Sequence, residues 1–217
     1  MRRLAHLHHK TNKESEPIWY VQIAIISVVV LQLLLDNSLS AWPKFIVAGI
    51  ELFLLVVLMF VAQSTVSLRL RRTTALLLIA LITVGNFVSL ILVILSLIHN
   101  THAFTGPDLL VSAFSIFITN IIVFGLWYWE MEFKRTGKPQ DFIFPQENAP
   151  SYLGLHNVGW RPQFFDYLYL SAVNAMSFSP TDTVPITHRA KALMAIQSLI
   201  SLVIVVLVTA RAVTIIG

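Results

Sequence analysis

Long apolar runs separated by short polar clusters set the pattern of this chain. Five runs approach or exceed the roughly 20 residues, at about 1.5 Å each, that cross a bilayer. They cover Ile18–Leu35, Phe45–Ala62, Thr74–Leu97, Leu109–Trp129 and Ala190–Ile216. A sixth run, Phe164–Phe178, corresponds to only about 22 Å of helix, the length of a re-entrant or buried segment. The pattern predicts an all-α integral membrane bundle of five transmembrane helices plus one short re-entrant or interfacial helix. Four regions follow: a polar cytoplasmic tail (1–17), four transmembrane helices (18–130), a Pro-rich cytoplasmic loop (131–163), and the re-entrant helix, its loop and the final span (164–217).

The basic residues orient these spans. Arg2, Arg3, Lys10 and Lys13 precede the first span, and Arg69, Arg71 and Arg72 follow the second. Lys134, Arg135, Lys138 and Arg161 follow the fourth, and Arg189 and Lys191 open the last. With five crossings all of these fall on one side, leaving Lys44 and Arg211 on the other. Lys and Arg accumulate in cytoplasmic loops, so the N-terminus is expected inside and the C-terminus outside. The polar leader and first apolar run are long for a signal peptide, which favours an uncleaved signal anchor. The tail itself is polar enough to be expected disordered. Trp19, Tyr20, Trp42, Trp127, Tyr128 and Trp129 sit at the predicted boundaries, where amphipathic rings prefer to lie.

Composition agrees with this reading. Of 217 residues, 56% are hydrophobic and 12% charged, about half the charged share of a soluble domain. The absence of cysteine excludes disulfides, thiolate metal sites and thiol nucleophiles. The net charge of +4 does not imply nucleic acid, because the basic residues form short clusters between apolar runs and not one basic face. The expected partners are therefore the lipid bilayer and, as a candidate, further copies of the chain in a homo-oligomer, with no nucleic acid and no cofactor.

Polar residues inside the predicted spans are the candidates for chemistry. Glu51 lies about 10 Å below the external surface, where a carboxylate needs a partner. Arg211 approaches the same leaflet and could form a structural pair with it; the alternative makes Glu51 a proton or cation site. Asn86, Asn120, Gln197, Ser198 and Ser201 lie near the midplane, and Ser112, Ser115 and Thr119 share one face of the fourth span. Such side chains hydrogen-bond between helices and allow close approach, or they line a polar pathway. His6, His8 and His9, and separately His99 and His102, lack the further ligands of a metal site.

The loop 131–163 contains Pro139, Pro145, Pro150 and Pro162, which prevent a regular helix. Phe142, Phe144 and Trp160 are expected to anchor it as it folds back. In the short helix after it, counting 100° per residue from Asp166, Ser177, Asn174, Tyr167 and Ser171 fall at about 20°, 80°, 100° and 140°. They form one polar arc beside the apolar Phe164, Phe165, Leu168, Val173 and Met176. Pro180 and Pro185 then break the helix, and Thr187 can cap the final one. Ser177, Ser179, Thr181 and Asp182 are the candidate binding residues of this segment, with Asn174, Glu51, Asn86 and Asn120 deeper in the membrane. Asp182 would attract a cation or cap the turn leading to Thr187.

The order of short helix, extended segment and long helix over Asp166–Ile216 resembles the pore helix, filter and inner helix of potassium channels. Asp182 and Pro185-Ile186-Thr187 agree with that pattern. Ser179 and Thr181 replace the filter glycines and Pro180 the filter tyrosine, so the resemblance implies a pore loop without potassium selectivity. A second resemblance rests on Trp127-Tyr128-Trp129-Glu130, Asp141-Phe142-Ile143-Phe144-Pro145-Gln146, Gly159-Trp160-Arg161-Pro162 and Phe178-Ser179-Pro180-Thr181-Asp182. These motifs are similar to those of a group of uncharacterised bacterial multi-pass inner-membrane proteins, which implies the bacterial cytoplasmic membrane and no particular reaction. No metalloprotease motif, nucleophile elbow or phosphate-binding glycine loop occurs, so no enzymatic activity is expected. Two functions remain: a pore-loop-like channel or small-solute transporter whose solute is not specified, and a structural or partner-binding membrane protein without transport.

Overall fold

The computed structural model describes residues 19–34, 49–50, 52–53, 56–57, 68–98, 106–132, 140–147, 161–177 and 182–216. Five helices dominate: α1 (Trp19–Leu34), α2 (Leu68–Ile98), α3 (Gly106–Glu132), α4 (Phe164–Ser177) and α5 (His188–Ile216). The described residues are all-α apart from one two-stranded antiparallel ladder. That ladder pairs β1 (Phe142–Ile143) with β2 (Val184–Pro185), setting Phe142 opposite Pro185 and Ile143 opposite Val184.

Among the described residues three helices are long and apolar enough to cross a membrane, within Arg72–Leu95, Leu110–Glu132 and His188–Ala210. The first expected span is helical over its 16 described residues, Trp19–Leu34. Most of the second, Phe45–Ala62, lies outside the described residues. Large apolar side chains cover the outside of the bundle: Leu77, Val84, Phe87 and Ile91 on α2 and Leu199 and Val206 on α5 are exposed. In water such a surface would associate; in hydrocarbon it is solvated.

Helix α3 is the centre of the bundle. Its apolar stretch is 56% buried against 28% and 22% for those of α2 and α5, and it packs against all four other helices. Ser112, Ser115 and Thr119, predicted on one face, are all buried there. The directions of its neighbours follow from side-chain pairings. Arg72 meets Glu130 with 3.5 Å between Nε and Oε1, and Leu90 and Val93 pack with Ala113 and Ile116, so α2 runs antiparallel to α3. Trp127 Nε1 donates to Thr83 Oγ1 at 3.0 Å between the same two helices. Tyr128 bonds to Gln197 and Asn120 to Ser201, so α5 is antiparallel to α3 as well.

Helix α4 runs the same way as α5. Phe164 packs edge-on against Trp129 with centroids 6.1 Å apart, Leu168 lies against Gly125, and Ser171 Oγ donates to the Ile121 carbonyl at 2.6 Å. Both α4 and α5 therefore begin at the Glu132 end of α3 and point toward its Gly106 end. The helix starts are locally encoded. The Gln163 N–H donates to Asp166 Oδ2 at 2.6 Å, closing the first turn of α4, and an acidic group there suits the helix dipole. At α5 the Ala190 N–H reaches Thr187 Oγ1 at 3.3 Å, the cap expected of that threonine.

Gly125 sets how closely α3 and α4 approach. A β-carbon there would stand 3.2 Å from Leu168 Cα and 3.3 Å from its Cδ1, closer than ordinary contact. Gly125→Ala should destabilise the purified protein by about 1–3 kcal/mol through overpacking, and Gly125→Val by more. Thermal unfolding in detergent reads both; an unshifted Gly125→Val transition would contradict this close crossing.

Candidate functional site

The polar arc of α4 faces inward. Tyr167, Ser171 and Asn174 are buried, whereas Phe165, Tyr169 and Met176 point outward with Phe165 71% exposed. A buried arc of hydroxyl and amide groups needs hydrogen-bond partners. Gln197 of α5 supplies most of them. Its Oε1 accepts from Tyr128 Oη at 2.5 Å and from Asn174 Nδ2 at 2.9 Å, and its Nε2 donates to Ser171 Oγ at 2.7 Å and to the Ser171 carbonyl at 3.0 Å. Asn174 Nδ2 also donates to the Met194 carbonyl at 3.0 Å, and Ser198 Oγ donates to Asn174 Oδ1 at 3.2 Å. Every donor hydrogen of Tyr128, Ser171, Asn174, Gln197 and Ser198 has an acceptor. A fully satisfied buried network of this kind rigidifies and fixes one packing arrangement.

Tyr128 is thus not an interfacial belt residue, as its sequence position suggests. It is completely buried, with its ring edge-on to Phe142 at 5.3 Å. Phe142 and Phe144 are buried as expected of loop anchors, and both contact Tyr167 of α4, at 6.3 and 5.3 Å between centroids. Trp160, the third expected anchor, lies outside the described residues.

Beside this layer sits a clasp that the sequence does not advertise. Asp141, directly before β1, is 0% exposed. Its carboxylate accepts from Arg189 Nε at 2.8 Å, from Arg189 Nη2 and from Thr187 Oγ1. The Asp141 carbonyl accepts from the Ile186 N–H at 2.8 Å. Both the Asp141 and Phe142 N–H groups donate to the Glu132 carboxylate, at 3.1 and 3.3 Å. The clasp ties the end of α3, strand β1, the return segment after α4 and the first turn of α5 into one junction.

The candidate residues from the sequence divide around it. Asn174 and Asn120 are buried and bonded, the latter through Nδ2 to Ser201 Oγ at 3.0 Å. Asn86 is half-buried on α2 and is not among the partners of Gln197. Ser177 ends α4 exposed, and Asp182 stands exposed two residues before β2. Ser179, Thr181 and Glu51 lie outside the described residues, as does the Arg211 side chain, so the Glu51–Arg211 pair does too. Among the described residues no group of three His, Asp or Glu could hold a metal ion. Compared with known proteins, the chain matches no family profile, no curated protein and no solved structure.

Two substitutions measure these contacts. Arg189→Ala leaves the buried Asp141 carboxylate short of donors and should cost roughly 2–5 kcal/mol, whereas adding Asp141→Ala should cost far less than the sum of the two single changes. Gln197→Ala leaves the buried Tyr128 hydroxyl without its acceptor and takes one partner each from Asn174 and Ser171, which keep Met194, Ser198 and Ile121, at about 1–3 kcal/mol for the buried group left unpaired. Tyr128→Phe in that background should then cost almost nothing. Additive unfolding energies in either double-mutant cycle would show that the pairs do not act on one another.

Proposed function

We propose that the protein is an integral protein of the bacterial cytoplasmic membrane whose functional centre is a pore-loop-like element. In this reading α4 is a re-entrant helix, the segment 178–187 returns to the side from which α4 entered, and α5 spans the bilayer. A small ion or solute passes near Ser177–Thr187, without potassium selectivity. The observation that carries the reading is the common starting point of α4 and α5 at the Glu132 end of α3. Their shared direction requires the chain between them to turn back, and the return segment is clasped at that end through Ile186 and Thr187. Irregular backbone at membrane depth persists only where protein buries it or water reaches it, and pore loops are built in this way.

The orientation in this proposal follows the basic residues. Arg72, Arg189 and Lys191 gather at the Glu132 end of the bundle, so that end is cytoplasmic and the C-terminus external. Five crossings, with the second made by residues 45–62, complete the topology. No enzymatic reaction is assigned.

A specific observation favours a second reading, a structural or partner-binding membrane protein without transport. The Gln197 network uses all its donors internally and offers none to a passing solute. The two readings separate in proteoliposomes. A transport role requires monovalent-cation flux above that of empty vesicles, and Asp182→Asn, which keeps local hydrogen bonding but removes the charge, should reduce it by about tenfold or more if one charge contributes ~1.4 kcal/mol at the mouth. Flux unchanged in a correctly inserted Asp182→Asn protein would leave Asp182 a structural residue. No flux in the parent protein would favour the second reading.

A further inference from the structure

A groove on the outer face of the bundle takes no part in the reading above. It encloses about 490 Å³ between the return segment, at Pro185, and one face of α5 formed by Lys191, Met194, Ala195, Leu199 and Leu202. That volume falls within the roughly 300–1,000 Å³ usual for ligand sites. The α5 positions follow a helical i, i+3, i+4, i+8, i+11 spacing, so they make one continuous stripe along the helix. Asn174 and Ser198 also line the groove. They are bonded to one another, and the Asn174 amide hydrogens go to Gln197 and the Met194 carbonyl, so the wall they leave is apolar in effect.

We propose that this groove holds an anionic phospholipid of the surrounding bilayer, with its phosphate at Lys191 and one acyl chain along Met194, Ala195, Leu199 and Leu202. Three features identify the occupant. First, Lys191 and Leu202 are separated by about 16 Å of helix, which is half of a ~30 Å hydrocarbon core and therefore the depth of one leaflet. Second, among the described residues the one charged side chain lining the groove is Lys191, at its shallow end, and it is exposed. A cation there meets a headgroup phosphate where the leaflet surface lies, while its aliphatic stem lies along the chain. Third, the deep end is made of Leu199 and Leu202, both exposed on a helix long and apolar enough to span. A soluble anion would gain nothing from that half of the groove, and an uncharged lipid nothing from Lys191.

The inference needs α5 to lie in a bilayer but not the transport reading. It is tested on the detergent-purified full chain by native mass spectrometry, titrating phosphatidylglycerol and phosphatidylcholine with identical acyl chains. Phosphatidylglycerol should bind about fivefold more tightly, the effect of one interfacial lysine. Lys191→Gln should bring the two lipids to parity, whereas Arg161→Gln, at an exposed position outside the groove, should leave the preference intact. Leu199→Trp, which fills the deep end from an exposed position, should weaken both lipids. A preference that survives Lys191→Gln, or that Arg161→Gln abolishes equally, would overturn the site, as would tight binding of glycerol phosphate lacking acyl chains.

Discussion

A carboxylate with no access to solvent persists as an anion only where donors surround it, and Asp141 is such a group. Its oxygens take both donors of the Arg189 guanidinium fork and the Thr187 hydroxyl, while its backbone bonds to Ile186 and Glu132. These four partners belong to the end of α3, the return segment and the first turn of α5. Without them the two-residue pairing of β1 and β2 would be far too short to hold the chain. The clasp fixes where α5 begins, and with it the register that sets Gln197 against Ser171, Asn174 and Tyr128. It also brings Pro185 beside α5, where it closes the shallow side of the groove that ends in Lys191.

The two polar layers do different work. At the Glu132 end charged groups dominate, Arg72 with Glu130 and Arg189 with Asp141, near the surface where Arg72 and Arg189 keep contact with water. About two helical turns further along α5, neutral amides and hydroxyls replace them, and Gln197 joins its own helix to α3 and α4. This gradation follows the cost of burial, which is severe for charge and moderate for hydrogen-bonded neutral groups. It explains how a 14-residue helix too short to span can still insert between long ones. Its polar arc faces partners that need it, with Phe164 and Tyr167 packed beside it, while Phe165, Tyr169 and Met176 face outward.

Much of this was legible in the sequence. The long apolar runs gave α2, α3 and α5 because length and hydropathy are local properties. The polar arc of α4, the Thr187 cap and the anchoring Phe142 and Phe144 could be read from spacing and turn chemistry. The partner of each polar residue could not. Asp141 and Arg189 lie 48 residues apart, and nothing local distinguishes Arg189 from the other basic residues that mark the same side. Tyr128 looked interfacial because Trp127 and Trp129 flank it, yet a helix turns 100° per residue and aims it at the core. Gln197 was visible as one midplane polar residue among several, but its role as hub depends on two other helices, α3 and α4.

In the proposed topology α4 enters and the chain returns on one side of the membrane. Because the chain has no cysteine, single thiols report sidedness without background. Arg161→Cys and His188→Cys bracket α4, and Gly106→Cys marks the opposite end of α3. With a membrane-impermeant maleimide, Arg161→Cys and His188→Cys should both label in inverted vesicles and not in intact cells, with Gly106→Cys showing the reverse. Labelling of Arg161→Cys and His188→Cys from opposite sides would mean that α4 crosses the membrane, and the re-entrant account would be wrong.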